Sequence, residues 1–187
     1  MRLANLAADS ADMKMPFVLT IEPHRISWCQ DFASEAARVR NALGCALNAL
    51  HHIGSTAIPR IYAKPIIDML ADVTSLAAVE EQAHELQAMG YEAMGEFGIP
   101  GRRYFRKTNR SGRRTHHLHA FVQRSPHIVR HLAFRDFLLA HPDTAQAYSE
   151  LKRGLVKTCK GDLEAYMDGK DAFIAGVEKQ ALEWASR

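Results

Sequence analysis

The sequence predicts an α+β fold: a mixed β-sheet flanked by helices, followed by a C-terminal third that is helical. Three observations carry that expectation. Apolar runs at 46–53 and 66–73 are short and bounded by Gly and Pro, as core strands are. Segments 102–108 and 116–123 alternate around a polar Asn109-Arg110-Ser111-Gly112 turn. Three stretches of helical period then follow at about 126–140, 143–158 and 162–185, separated by Pro142 and Gly161. Strands first and helices afterwards is the order of an α+β domain.

The elements follow in turn. Phe17–Ile21 reads as a short strand or extended arm closed by Glu22-Pro23. Trp28, Phe32, Ala36, Val39 and Leu43 recur at three- and four-residue steps, which predicts a helix over 27–43 stopped by Gly44. The strand at 46–53 enters a loop or short helix over 54–63. Pro65 forces Lys64 toward an extended conformation ahead of the strand at 66–73. An amphipathic helix over 76–89, capped near Thr74 or Ser75 and ended by Gly90, leads to a strand at 91–94. Gly95, Gly98, Pro100 and Gly101 mark a sharply turning loop. Ser125-Pro126 is a helix start, with serine as cap and proline in the first position.

With 187 residues, the chain is expected to be one domain over 17–187 behind a flexible N-terminus, 1–16. That N-terminus mixes charges with small residues and has no continuous apolar core, so it does not read as a signal peptide. No apolar run approaches the roughly 20 residues that span a bilayer, so no membrane is expected as a partner. Cys29, Cys45 and Cys159 are too scattered for a disulfide framework or a zinc finger, which points to a cytoplasmic protein. The net charge of +3 is too small to imply nucleic acid. Phosphate-loop, dinucleotide, nucleophile-elbow and zincin signatures are all missing, against a P-loop kinase, a Rossmann dehydrogenase, a serine hydrolase and a zincin.

Chemistry concentrates in three places. Backbone amides at the Gly54-Ser55-Thr56 turn can hold phosphate oxygens, because glycine lets main chain approach an anion closely. Asp68, set within Ile-Ile-Asp-Met-Leu on the next strand, is a candidate ligand for the divalent metal that accompanies such a phosphate. Two-metal nucleotidyl transfer asks for a second carboxylate two residues on, about 7 Å along the strand, and Leu70 stands there instead. Asp72 reads as a strand-end residue. His117 and His119 share a strand face and can join Asp68 as catalytic or metal-ligating groups; otherwise one moves a proton and the other only packs. Oxygen ligands suit magnesium or manganese, and imidazoles suit a transition metal.

The hairpin supplies the third feature. Arg102, Arg103, Arg106, Lys107, Arg110, Arg113 and Arg114 lie in a run without an acid, a positive field for an anionic ligand. Alternation nominates Arg102 and Arg106 to reach a phosphate, beside Lys64. Arg135 either turns toward the same site or pairs with an acid at the surface. RNA or DNA ranks below a small phosphorylated ligand, because Tyr104 and Phe105 make a thin stacking platform. Tyr148 and Lys152 share a helix face, and Tyr166, Phe173, Val177, Ala181 and Trp184 read as a core stripe.

The ordered blocks His52-Ile53-Gly54-Ser55-Thr56-Ala57-Ile58-Pro59 and Ala63-Lys64-Pro65-Ile66-Ile67-Asp68 resemble the GrpB family of the nucleotidyltransferase superfamily. So do Gly98-Ile99-Pro100-Gly101-Arg102, Thr115-His116-His117-Leu118-His119, Phe134-Arg135-Asp136-Phe137-Leu138 and Tyr148-Ser149-Glu150-Leu151-Lys152. Arg60 stands where that family usually has glycine. The resemblance implies a nucleotidyltransferase-like mixed sheet, phosphates at Gly54 and Ser55, and metal at Asp68. It also implies kinship with a domain fused to some dephospho-CoA kinases. The function expected is binding of a nucleotide or phosphorylated ligand, with metal-dependent nucleotidyl transfer as one outcome. The alternatives are a non-catalytic module that has lost the second carboxylate and a single-metal His/His/Asp enzyme. Nothing in the sequence fixes the oligomeric state.

Overall fold

The computed structural model describes residues 19–187. The expected N-terminal segment 1–16, with Phe17 and Val18, lies outside the described residues. Leu19 to Ile21 form no regular strand; Glu22 instead makes an isolated antiparallel bridge to Ala63, with N···O distances of 2.8 and 2.9 Å.

Helix α1 (Ser27–Leu43) ends at Gly44, whose φ of 49° turns the chain into strand β1 (Leu47–Ile53). Strand β2 (Ile67–Val73) follows the intervening loop, which holds one 3-10 turn at Ser55–Ala57. The helix expected over 76–89 is two short ones, α2 (Leu76–Glu81) and α3 (Ala83–Ala88), broken at Gln82. Ser75 caps the first by accepting from Ala78 N at 3.1 Å. Strands β3 (Tyr91–Ala93), β4 (Arg103–Thr108) and β5 (Arg114–Val122) complete a five-stranded sheet of order β1-β2-β5-β4-β3. Only β2 and β5 run parallel, so the sheet is mixed as expected.

The period-two alternation of β2 divides the molecule. Met69, Ala71 and Val73 face α1 and the α2–α3 pair, burying Trp28, Ala36, Val39, Val79 and Leu86 with Leu118, Ala120 and Phe105. On the other face Leu70, Ile53 and Phe121 pack under Ile128 of helix α4 (Pro126–Ala140). Asp68, His117, His119, Tyr104 and Arg106 belong to that second face by register.

Helices α4, α5 (Pro142–Cys159) and α6 (Leu163–Ala185) form the helical C-terminal third. Pro142 opens α5 at a first-turn position, where its missing N–H costs nothing. Ala133, Phe137 and Leu138 pack with Ala145, Tyr148, Val177 and Ala181 around Ile58 and Ile61 of the β1–β2 loop. That loop is therefore clamped between the sheet and the bundle, with Lys152 and Lys170 of α5 and α6 close by. Arg60 adopts φ 67° in it, the left-handed region that glycine enters without strain. Among the described residues no helix is long and apolar enough to cross a membrane.

Candidate functional site

Gly54 leaves β1 with φ 71° and ψ −176°, a combination essentially confined to glycine. A Cβ there would lie 2.4 Å from Asp68 Oδ2 and 3.0 Å from Asp68 Cβ. The glycine thus permits both the turn and the contact. His117 Nδ1 donates to Asp68 Oδ1 at 2.9 Å. The other ring nitrogen, Nε2, is buried with no hydrogen-bond partner. Burial pushes the Asp68 carboxyl up, but the His117 hydrogen bond and the imidazoles of His119 and His52 together hold it below its ordinary value. Protein surrounds Asp68, yet 28% of its side-chain surface meets water.

His119 lies one pleat along. Ligating atoms of Asp68, His117 and His119 all fall within 4.8 Å of one another. Burial drives His119 down to about 3 against the pull of Asp68, with smaller help from His131, Arg102 and His117, so its ring is neutral at physiological pH. Arg102 Nη1 donates to His119 Nδ1 at 3.3 Å, which leaves the proton of the neutral ring on Nε2.

The arginines expected to reach phosphate are engaged elsewhere. Arg102 is buried and gives Nε to Glu96 O and Nη2 to Phe97 O, at 3.1 and 2.6 Å. Arg106 makes a two-pronged pair with Glu92, at 2.6 and 3.0 Å. Arg135 bonds its neighbour Asp136 and donates to His52 O at 3.0 Å, fastening α4 to β1. Thr56 is buried; its hydroxyl donates to Ile66 O and meets His52 Nε2 at 3.0 Å. The Thr56 side chain braces the loop, and Asp72 pairs with Asn48 at the end of its strand.

Lysines take the place that the arginines leave. Lys152 Nζ donates to Ser55 Oγ at 2.8 Å and to Tyr62 O at 2.5 Å, 4.4 Å from the centre of the Tyr148 ring. Lys64 and Lys170 each hold Nζ 4.5 Å from the centre of the Tyr166 ring. Burial, then the charge of Lys170, lowers Lys152 to about 7 and Lys64 to about 8. Lys170 is lowered by its own burial, against the opposing pull of Asp171 and Asp68. Asp68 is the carboxylate that acts on both Lys64 and Lys170. Lys64 and Lys152 thus both feel the charge of Lys170. Lys152 was legible only as a partner of Tyr148 on one helix face, and Tyr166 only as core. Lys170 gave no signal.

Leu70, the position of the missing carboxylate, is fully buried against Ile53, Phe121 and Ile128. Two surface concavities, of about 450 Å³ beside β1 and about 510 Å³ between Pro23 and Tyr62, are lined by none of Asp68, His117, His119, Lys64, Lys152 and Lys170.

A family model described as GrpB protein matches residues 18–180. The crystal structure of conserved protein GrpB from Enterococcus faecalis superposes with TM-score 0.85 at 38% identity, covering 90% of this chain and 100% of that one. The UPF0157 protein YqkA of Bacillus subtilis is 45% identical over 157 residues, which is 84% of this chain and 45% of that protein. A dephospho-CoA kinase of Mycobacterium leprae is 28% identical over 185 residues, again 84% of this chain and 45% of the kinase. The chain therefore spans less than half the length of these last two relatives.

Proposed function

The chain belongs to the GrpB family, and from that premise and the geometry we propose that it binds a nucleotide or other phosphorylated small molecule at the Asp68 site. One observation carries the reading: Lys64 and Lys152, each partly desolvated, both feel the charge of a third buried lysine, Lys170, and Asp68 is the carboxylate that acts on Lys64 and Lys170. Like charges gathered out of water raise each other's cost, and an anionic ligand removes it. Phosphate oxygens placed on these ammonium groups, and on the hydroxyl of Ser55 and the amides of the turn, receive charge-assisted hydrogen bonds. Lys152 already holds Ser55 Oγ, so the loop and α5 meet the ligand as one preformed surface.

A divalent metal fits the residues present. Asp68 and His117 would hold it, His117 through a ring whose Nε2 has no other partner. His119 joins once its Nδ1 is released from Arg102. Two nitrogens and one oxygen favour an imidazole-binding transition metal such as zinc over magnesium or manganese. A cation bound there would neutralise charge on a phosphate and make it more electrophilic.

Leu70 favours binding over polymerase-type transfer. Its place in the α4 contact leaves Asp68 without the partner carboxylate that a paired-metal transfer requires. Binding, with at most a single-metal reaction at Asp68, His117 and His119, is the function this geometry supports best.

Thermal unfolding with nucleoside triphosphates, with and without magnesium, manganese and zinc, tests the reading. A ligand at 100 times its Kd adds about 2.7 kcal/mol, or roughly 5–10 °C in Tm for a chain of this size. Asp68→Ala removes the metal-dependent part of the shift and keeps the lysine-dependent part. No shift with any nucleotide contradicts the proposal.

A further inference from the structure

Phe97 is the strangest residue of the loop between β3 and β4. It is 57% exposed and adopts φ 44°, a left-handed conformation that a bulky side chain avoids. Nothing in core packing asks for it, since Ile99 already anchors this loop against Leu70 and Phe121. Yet the loop is fastened with care. Arg102 Nη2 grips Phe97 O at 2.6 Å, Arg102 Nε grips Glu96 O at 3.1 Å, and Gly101 N donates to Glu96 Oε1 at 2.7 Å. Tyr104 closes both ends, receiving Met94 N at its carbonyl and donating its own N to Gly95 O, each at 2.8 Å.

One face of the Phe97 ring lies against Tyr104, centroids 5.4 Å apart and planes 29° apart. Tyr104 in turn stands 5.5 Å from His117 and 5.1 Å from His119, ring centre to ring centre. An exposed aromatic is thus held in a strained backbone, one ring away from the histidines grouped with Asp68, and strain of this kind collects where a ligand is clamped.

We propose that Phe97 is a stacking platform for the heterocyclic base of the ligand, so that the site takes nucleotides in preference to other phosphorylated compounds. This rests on the phosphate-binding reading of the same site and adds what the non-phosphate end of the ligand must be: a flat π-system. Arg102 is the positioning residue of this device, because it holds the two carbonyls that set the Phe97 ring in place. Stacking tolerates any base, so Phe97 selects for the presence of a base and not for its identity.

The test compares a nucleoside triphosphate with inorganic tripolyphosphate on wild-type protein, Phe97→Ala and Phe97→Trp. Wild-type protein binds the nucleotide more tightly. Phe97→Ala weakens the nucleotide by about ten- to a hundredfold and leaves tripolyphosphate unchanged. Phe97→Trp restores nucleotide affinity, and its indole fluorescence is quenched by nucleotide but not by tripolyphosphate. Equal nucleotide affinity in wild type and Phe97→Ala overturns the platform while tripolyphosphate binding upholds the phosphate site. Failure of wild-type protein to bind either compound overturns both. Circular dichroism of the variants excludes unfolding as the cause, since the ring is exposed.

Discussion

Replacing Gly54 with alanine removes the metal response of the protein and lowers its melting temperature. Two effects act together. The backbone of Gly54, at φ 71° and ψ −176°, costs any L-residue about 1–3 kcal/mol. In a chain of this size that is a fall of roughly 3–10 °C in Tm. The added methyl would also stand 2.4 Å from Asp68 Oδ2, inside any contact distance, so the carboxylate must swing away. The 2.9 Å bond to His117 is then lost, and with it the alignment of the three candidate ligands. The expected result is that zinc raises the Tm of wild-type protein and leaves that of Gly54→Ala unmoved. A variant that keeps the metal shift shows that Asp68 does not depend on this contact.

Lys152→Met gives the opposite balance: stability nearly unchanged, ligand affinity sharply reduced. Methionine fills a similar volume without carrying a charge into the interior. Losing the bonds to Ser55 Oγ and Tyr62 O costs stability, while relief from burial and from Lys170 returns it. The net change is within about 1 kcal/mol, or roughly 2–4 °C. One charge-assisted contact to phosphate is worth about 1.5–3 kcal/mol, so affinity for a nucleoside triphosphate falls about ten- to a hundredfold. The pH dependence follows from the same group. Its folded value of about 7 lies below the ordinary 10.5, so between the two the unfolded chain holds more protons than the folded one. Stability of the ligand-free protein due to Lys152 therefore rises with pH across that window, while affinity for an anion falls. Lys152→Met flattens both curves. Tm measured at pH 6.5 and 9, with and without nucleotide, checks both signs.

The frame of the fold was legible because its signals are local. Trp28, Phe32, Ala36, Val39 and Leu43 gave α1, and Gly44 gave its end through a backbone angle that glycine tolerates. Ser75, Ser125 and Pro126 marked helix starts because capping is chemistry within one turn. The adjacency of Gly54 and Asp68 was equally readable, since a strand, a glycine turn and a returning strand place them together. The break at Gln82 was not, nor were the edges of the short strands.

Long-range partners escaped the sequence. The arginine run at 102–114 contains no acid, which suggested guanidinium groups free for phosphate. Acids arrive from other elements: Glu92 from β3 for Arg106, and Glu80 from α2 for Arg103 at 2.5 Å. Arg102 is absorbed by carbonyls of its own loop. The lysines were hidden for the same reason. Lys152 meets Ser55 across 97 residues of chain, and nothing local announces that α5 and α6 close over the β1–β2 turn.

Calorimetric titration of the protein with a magnesium nucleoside triphosphate at pH 8, repeated in two buffers of different ionisation heat, counts the protons exchanged on binding. Lys152 at about 7 and Lys64 at about 8 are then largely or half deprotonated, and both recover protons against phosphate. The expected result is net uptake of roughly one proton per ligand, reduced in Lys152→Met. Binding with no proton uptake, or no binding at all, contradicts a phosphate site built on these lysines.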